Sequence, residues 1–273
     1  MIFLGVMGDA RVANSLSPLM HNTVMSRYGL DGVYMALVVD PKQVPAAVAG
    51  FRALGLNGVN VTVPHKQAVI AHLDGLSDQA RRLGAVNTIS RENGRLWGHN
   101  TDADGFLQAL AGAGFQPQGK AALVLGAGGA ARAVVLALAE AGASEVWVGA
   151  RRLEQATGLC RQLGGLPVSL QEVPSLMDSV QLLVNATSVS HPRESPEMAA
   201  FVEQLPNPPK LELVMDLNYG RRENLWARAA EVWQSPFEDG LSMLAHQARL
   251  SFKIWTGRDL EPGEFLNPLK RAT

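Results

Sequence analysis

The sequence predicts an α/β protein: an N-terminal α/β unit with a mostly parallel sheet, followed by a second parallel α/β unit. Three observations carry this reading. Short β-rich apolar runs alternate with helical stretches along most of the chain, the pattern of βαβ crossovers. A continuous apolar run, Ala121–Leu125, opens directly into Gly126-Ala127-Gly128-Gly129-Ala130-Ala131, the strand–turn–helix spacing of a Rossmann dinucleotide-binding unit. The 27 glycines and 6% aromatic residues suit many tight turns better than an all-β sandwich.

The elements follow in order. Ile2–Met7 is an apolar strand closed by Gly8. Pro18 to Tyr28 reads as a helix, with proline in its first turn and Gly29 as its stop. Val33–Val39 is strand-like and ends at Asp40-Pro41, and Val44 to Leu54 is helical up to Gly55. Gly58–Val63 is β-rich and stops at Pro64, and Gln67 to Asp74 suggests a short helix. In the second unit, Ala121–Leu125 has the unbroken apolarity of a strand buried on both faces. A helix runs from the glycines to Glu140, Glu145–Val148 is the next strand, and Leu153 to Leu163 is a helix. Val180–Asn185 and Leu213–Leu217 are further strands, with a proline-rich loop holding one short helix over His191 to Pro209.

Composition narrows the function. The 273-residue chain is 47% apolar with a formal net charge of −1, so it is globular and has no bulk charge for binding nucleic acid. Its single cysteine, Cys160, excludes an internal disulfide and suits a reducing compartment. Met1–Asp9 lacks the basic start of a signal peptide. Ala121 to Ala143 carries Arg132 and Glu140, which marks a core segment rather than a membrane span. The expectation is a cytoplasmic protein. The six histidines show no metal-ligand spacing.

The glycine loop has a physical reading. Gly126 permits the tight turn, Gly128 removes a side chain so that the backbone can approach a pyrophosphate at the helix start, and Ala131 lets helix and strand approach. The alternative is a plain glycine-rich turn. Past the next strand, where NAD sites place an acid, stand Arg151 and Arg152. Guanidinium groups suit a 2′-phosphate and favour NADP; a solvated arginine pair is the alternative.

The N-terminal unit carries the candidate chemistry. Asn60-Val61-Thr62-Val63-Pro64-His65-Lys66 is a strand end that delivers Asn60 and Thr62 to one face. Lys66 lies just beyond it, and Asn100-Thr101-Asp102 occupies another loop. A lysine beside a carboxylate can move a proton; a surface ion pair is the competing reading.

Seven segments occur in a telling order: Ser15-Leu16-Ser17-Pro18, Asn60 to Lys66, Gly84-Ala85-Val86-Asn87-Thr88, Asn100-Thr101-Asp102, Gly126 to Arg132, Asn185-Ala186-Thr187-Ser188, and Asp239-Gly240 through Gln247. Together they resemble the shikimate/quinate dehydrogenase family from Gly8 to about Gln247. The resemblance implies a substrate domain over residues 1–104 completed by C-terminal helices in 240–273, a Rossmann domain over 105–239, and an active site in the cleft between them. It implies Lys66 and Asp102 as the catalytic pair. Ser15 and Ser17 would hold the substrate carboxylate with Tyr219 nearby, and Asn60, Thr62, Asn87 and Gln247 would grip ring hydroxyls. Gly126, Gly128, Gly129, Ala130, Arg151, Arg152, Thr187 and Gly240 would meet the cofactor. The implied reaction is reversible NADP-dependent reduction of 3-dehydroshikimate to shikimate. Use of NAD and action on quinate are left open, as is a monomer or homodimer, with no nucleic-acid, membrane or metal partner.

The chain departs from the family pattern at Ala150 and Arg152, at Val189-Ser190-His191, at Gly220 to Glu223, at Ser242 and at Asn14. A non-catalytic NADP-binding sensor is the second function class. A glutamyl-tRNA reductase-like enzyme is a third, but it needs a cysteine in the first domain, and Cys160 lies in the second.

Overall fold

In the computed structural model, which describes residues 1–272, the chain divides into two units. One comprises Met1–Gly105 and the chain from Leu244 onward; the other is Phe106–Met243. Thr273, the last residue of the expected C-terminal stretch, lies outside the described residues.

The first unit is built on β1 (Ile2–Gly8), α1 (Ser17–Arg27), β2 (Gly32–Val38), α2 (Val44–Ala53), β3 (Gly58–Val61), β4 (Gly75–Leu76), α3 (Asp78–Leu83), β5 (Thr88–Glu92) and β6 (Arg95–His99). Its sheet runs β2-β1-β3-β5-β6-β4. The pairings β1–β2, β1–β3 and β4–β6 are parallel, and β3–β5 and β5–β6 antiparallel. The β5–β6 hairpin turns at Asn93-Gly94, both with positive φ (51° and 80°), as a two-residue primed turn requires. The strand expected over Gly58–Val63 stops at Val61, and the expected helix at Gln67 is a 3-10 turn, Ala68–His72. Met7, Val48, Phe51, Val59, Ile89 and Leu96 are buried together on one side of this sheet.

α4 (Asp102–Gly112) leads into the second unit. There follow β7 (Ala121–Leu125), α5 (Gly129–Glu140), β8 (Glu145–Ala150), α6 (Leu153–Leu163), β9 (Leu166–Ser169), α7 (Val173–Leu176), β10 (Leu182–Asn185), α8 (Pro196–Glu203), β11 (Leu213–Asp216), α9 (Leu225–Val232) and β12 (Phe237–Glu238). Every residue of β7 is buried, which explains its unbroken apolarity. The sheet order is β12-β11-β10-β7-β8-β9, with every pairing parallel. Counted within the unit this is 6-5-4-1-2-3, the Rossmann order, and it reverses between β7 and β10. Ligands of such sheets bind beyond the strand ends at that reversal.

α10 (Gly240–Thr256) and α11 (Pro262–Lys270) finish the chain. From Leu244 on they belong to the first unit. Trp255 lies so close to Gly58 that a Cβ there would meet the indole at 2.1 Å, and its Nε1 donates to the Ile89 carbonyl at 2.9 Å. Among the described residues no helix is long and apolar enough to cross a membrane, and no group of acidic, histidine or cysteine side chains could hold a metal ion.

Candidate active site

In the first unit the site grows from the ends of adjacent strands. Ser15 and Ser17 follow β1, and Thr62 and Lys66 follow β3. The Thr62 methyl packs on Gly8, where a Cβ would meet it at 2.6 Å. Ser15 Oγ accepts from the Ser17 backbone at the start of α1, at 3.2 Å. The Ser17 and Thr62 hydroxyls have no protein partner among the described residues, so both remain open to a ligand.

Lys66 Nζ donates to Asp102 Oδ2 at 2.7 Å. The side chains are 18% and 4% exposed, so this is not the surface ion pair that the sequence left open. Asp102 begins α4, where the helix dipole favours a negative charge. Its backbone N–H donates to Asn100 Oδ1 (2.9 Å), and Asn100 Nδ2 to the Ala85 carbonyl (3.0 Å). The Val86 N–H donates to the Lys66 carbonyl at 2.8 Å. Both ends of the pair are thus tied to the segment before Asn87.

Asn87 joins the pair to α10. Its Nδ2 lies 2.9 Å from Asp102 Oδ1, 2.9 Å from Thr101 Oγ1 and 3.1 Å from Gln247 Oε1. That contact turns Gln247 Nε2 away, without a protein partner among the described residues. Asn60 is held just as firmly. Tyr34 OH donates to its Oδ1 at 2.7 Å, while Nδ2 lies 3.1 Å from the Asn87 carbonyl, Thr88 Oγ1 and Ser251 Oγ alike. Lys66, Asp102, Asn87, Gln247 and Asn60 therefore form one network, which the Ser15, Ser17 and Thr62 side chains do not join by hydrogen bonds among the described residues. The sequence reading did not single out Tyr34, Thr88 or Ser251. Ser251 was findable: it sits four residues after Gln247 on α10, one turn along the same face.

In the second unit Gly126 has φ +114°, and a Cβ there would meet Ala186 backbone atoms at 2.8 Å. The glycine loop is thereby pressed onto the Ala186–Thr187 backbone, across the sheet reversal. Gly128 is the N-cap of α5 and has no capping side chain. A Cβ at Gly128 would point into open space. The first N–H groups of α5, from Gly129 and Ala130, have no intrahelical partner. Arg151 and Arg152 follow β8, the neighbour of β7, and are exposed, with no ion pair among the described residues. These features fit a dinucleotide pyrophosphate with a further phosphate on its ribose. Thr187 Oγ1 donates to Asn185 Oδ1 at 2.7 Å. Gly240 N donates to the Asn218 carbonyl at 3.0 Å, and a Cβ on Gly240 would strike the Leu217 carbonyl at 2.2 Å. Burial pushes the Tyr219 phenol up from its ordinary value of 10.0.

A chain with a Rossmann unit and an α/β unit that holds a part-buried lysine–carboxylate couple has the make-up of a nicotinamide-dependent oxidoreductase. Three family models match: the shikimate dehydrogenase substrate binding domain over residues 6–89, shikimate / quinate 5-dehydrogenase over 109–222, and the shikimate 5′-dehydrogenase C-terminal domain over 240–262. The shikimate dehydrogenase (NADP(+)) of Moorella thermoacetica is 42% identical over 260 residues, 91% of this chain and 86% of that protein. The shikimate 5-dehydrogenase of Thermus thermophilus, solved with NADP(H) and shikimate, superposes with a TM-score of 0.88 at 40% identity, covering 100% of both chains. The Aquifex aeolicus shikimate dehydrogenase does so with a TM-score of 0.88 at 36% identity, over 99% of this chain and 98% of that one. The chain belongs to the shikimate/quinate dehydrogenase family.

Proposed function

We propose that the protein is an NADP-dependent shikimate dehydrogenase, interconverting 3-dehydroshikimate and shikimate. The observation that carries the residue assignment is the Lys66–Asp102 pair: a part-buried ammonium whose one partner among the described residues is Asp102 Oδ2. Gly126, Gly128, Gly129 and Ala130 receive the pyrophosphate, Arg151 and Arg152 the 2′-phosphate, and the backbones at Thr187 and Gly240 the nicotinamide half. Bound there, the dinucleotide supplies the hydride in reduction and takes it back in oxidation.

The chain's own residues do the rest. Ser15 and Ser17 hold the carboxylate. Thr62, Gln247 Nε2 and the free lone pair of Asn60 Oδ1 meet ring hydroxyls, and Asn87 completes that group while fixing Asp102 and Gln247. Such neutral partners suit a polyhydroxylated acid and reject analogues that would leave them unpaired. As the ketone carbon accepts hydride, the C=O electron pair moves to oxygen and Lys66 Nζ gives that oxygen its proton. In the reverse direction Nζ takes the hydroxyl proton. Asp102 Oδ2 holds Nζ in place throughout. A sequence with one cysteine suits a reducing compartment, which supports the cytoplasm as the place of the reaction.

The test is an assay of shikimate and quinate, each with NADP+ and NAD+. Shikimate with NADP+ is expected to be the preferred pair. Lys66→Ala should lower kcat by roughly 100-fold or more with NADP+ affinity unchanged. Full activity in that variant would remove Lys66 from the chemistry, and preference for quinate or NAD+ would overturn the substrate or cofactor assignment.

A further inference from the structure

The second unit contains a carboxylate that the proposed reaction does not use. Asp216 closes β11, is fully buried, and faces no cation among the described residues. An ion taken out of water costs several kcal/mol unless its lone pairs are filled. Asp216 Oδ1 accepts from Asn185 Nδ2 (2.8 Å), Asn218 N (3.1 Å) and Asn218 Nδ2 (3.0 Å), and Oδ2 from Asn224 Nδ2 (2.7 Å).

Each of the three asparagines has a second task. Asn185 Oδ1 accepts from Thr187 N (3.1 Å) and Thr187 Oγ1 (2.7 Å), and Asn185 Nδ2 also reaches the Val189 carbonyl (3.0 Å). Asn218 Nδ2 donates to the Thr187 carbonyl at 2.8 Å, and the Asn218 carbonyl accepts from Gly240 N at 3.0 Å. Asn224 Oδ1 caps α9 through Trp226 N (2.8 Å) and Ala227 N (3.2 Å). One buried anion thus ties together the loop after β10, the turn after β11 and the starts of α9 and α10. Of these, the loop after β10 lies against Gly126 through Ala186 and Thr187, and the turn after β11 lies against Gly240 through Leu217 and Asn218.

We propose that Asp216 is a positioning residue for cofactor binding: it fixes the backbone at Thr187 and at 217–219 against the glycine loop. This rests on the reading that Thr187 and Gly240 meet the nicotinamide half. The role needs an acceptor on both oxygens, which an amide cannot provide. Asp216→Asn would turn an NH2 group toward either Asn224 Nδ2 or the Asn185 and Asn218 donors. Adding Asn224→Asp restores the match, because a carboxylate at 224 can cap α9 with one oxygen and accept from the new amide with the other.

The experiment compares the full-length parent, Asp216→Asn, and the double variant Asp216→Asn/Asn224→Asp. NADP+ and shikimate affinities are measured by calorimetry, and hydrogen exchange is followed at the Thr187, Val189 and Asn218 amides. In the single variant NADP+ affinity is expected to fall roughly tenfold or more, with faster exchange at those amides and unchanged shikimate affinity. The double variant should return to within about threefold of the parent. Should the single variant not fold, a folded double variant with parental NADP+ affinity supports the proposal, and one without it overturns it. Unchanged exchange and unchanged affinity in the single variant would overturn the proposal alone. Loosened amides with NADP+ affinity intact would overturn the assignment of Thr187 and Gly240 to the cofactor, and the proposal with it.

Discussion

His21 shows how a single side chain sets a property of the whole fold. It is fully buried, neither ring nitrogen has a hydrogen-bond partner among the described residues, and it stacks on Tyr34 at 4.3 Å with Phe252, Trp255 and Phe265 around it. With no acceptor in reach, burial lowers its pKa from 6.5 to about 3. The folded pKa lies below the unfolded one, so between them the unfolded chain binds the extra proton. The stability from neutral His21 is complete above pH 6.5 and is lost as pH falls from there toward 3, by roughly 1 kcal/mol per pH unit. His99 and His246 are shifted the same way, so the decisive quantity is a difference between proteins. His21→Phe keeps a ring in the box and removes the titration. Its stability, from urea unfolding between pH 6.5 and 4.5, should fall less steeply than the parent's. Parallel curves would refute the assignment. The same box carries Tyr34, whose hydroxyl orients Asn60, so the apolar cluster under the site also holds one of its polar groups.

At the scale of elements, the contact that matters most is between α4 and α10. A Cβ on Gly105 would come within 2.9 Å of the Gln247 backbone nitrogen, and backbone cannot swing aside as a side chain does. Gly105→Ala should push the two helices apart, lengthen the Asn87–Gln247 hydrogen bond and raise the shikimate KM about tenfold, at a stability cost of about 1–3 kcal/mol. NADP+ affinity should not move; a shikimate KM equal to the parent's would show that Gln247 does not depend on this packing. The elements themselves were legible where periodicity was long and apolar. Leu153–Leu163 and Ala121–Leu125 form over the residues expected. The β5–β6 hairpin went unassigned although Asn93-Gly94 marks its turn, because its strands are short and mix Arg91, Glu92 and Arg95 with apolar residues. β12, with two residues, is too short to show any period. Lys66, Asp102 and the glycine loop could be picked out because their chemistry is written in one residue or one short motif. Ser251 is legible only as a position one turn past Gln247, since its partner Asn60 lies 191 positions away, and Asp216 is not, since its role shows only once Asn185, Asn218 and Asn224 converge on it.

The threading of the whole chain makes the two units unequal. Phe106–Met243 is one continuous stretch, whereas the first unit needs residues from both ends of the sequence. α11 shows what the late residues contribute: Phe265 and Leu269 are fully buried, Phe265 packs on His21 and Phe252, and Glu264 pairs with Arg27 of α1 at 2.8 Å. Deleting a single buried phenylalanine side chain typically costs about 3–5 kcal/mol, a large share of the stability of a domain this size. A chain ending at Glu261 should therefore lose the order of α1 and of the aromatic box, and with them the hold of Tyr34 on Asn60. Shikimate affinity is expected to collapse. NADP+ affinity should stay within a few-fold of the parent, because Gly126, Gly128, Arg151, Thr187 and Gly240 all lie in the uninterrupted stretch. Calorimetric titration of each ligand on the truncated chain, beside its thermal unfolding profile, checks this. A parallel loss of both affinities would mean that the cofactor residues draw their order from the discontinuous unit. Retention of shikimate binding would mean that the aromatic box is dispensable for placing Asn60.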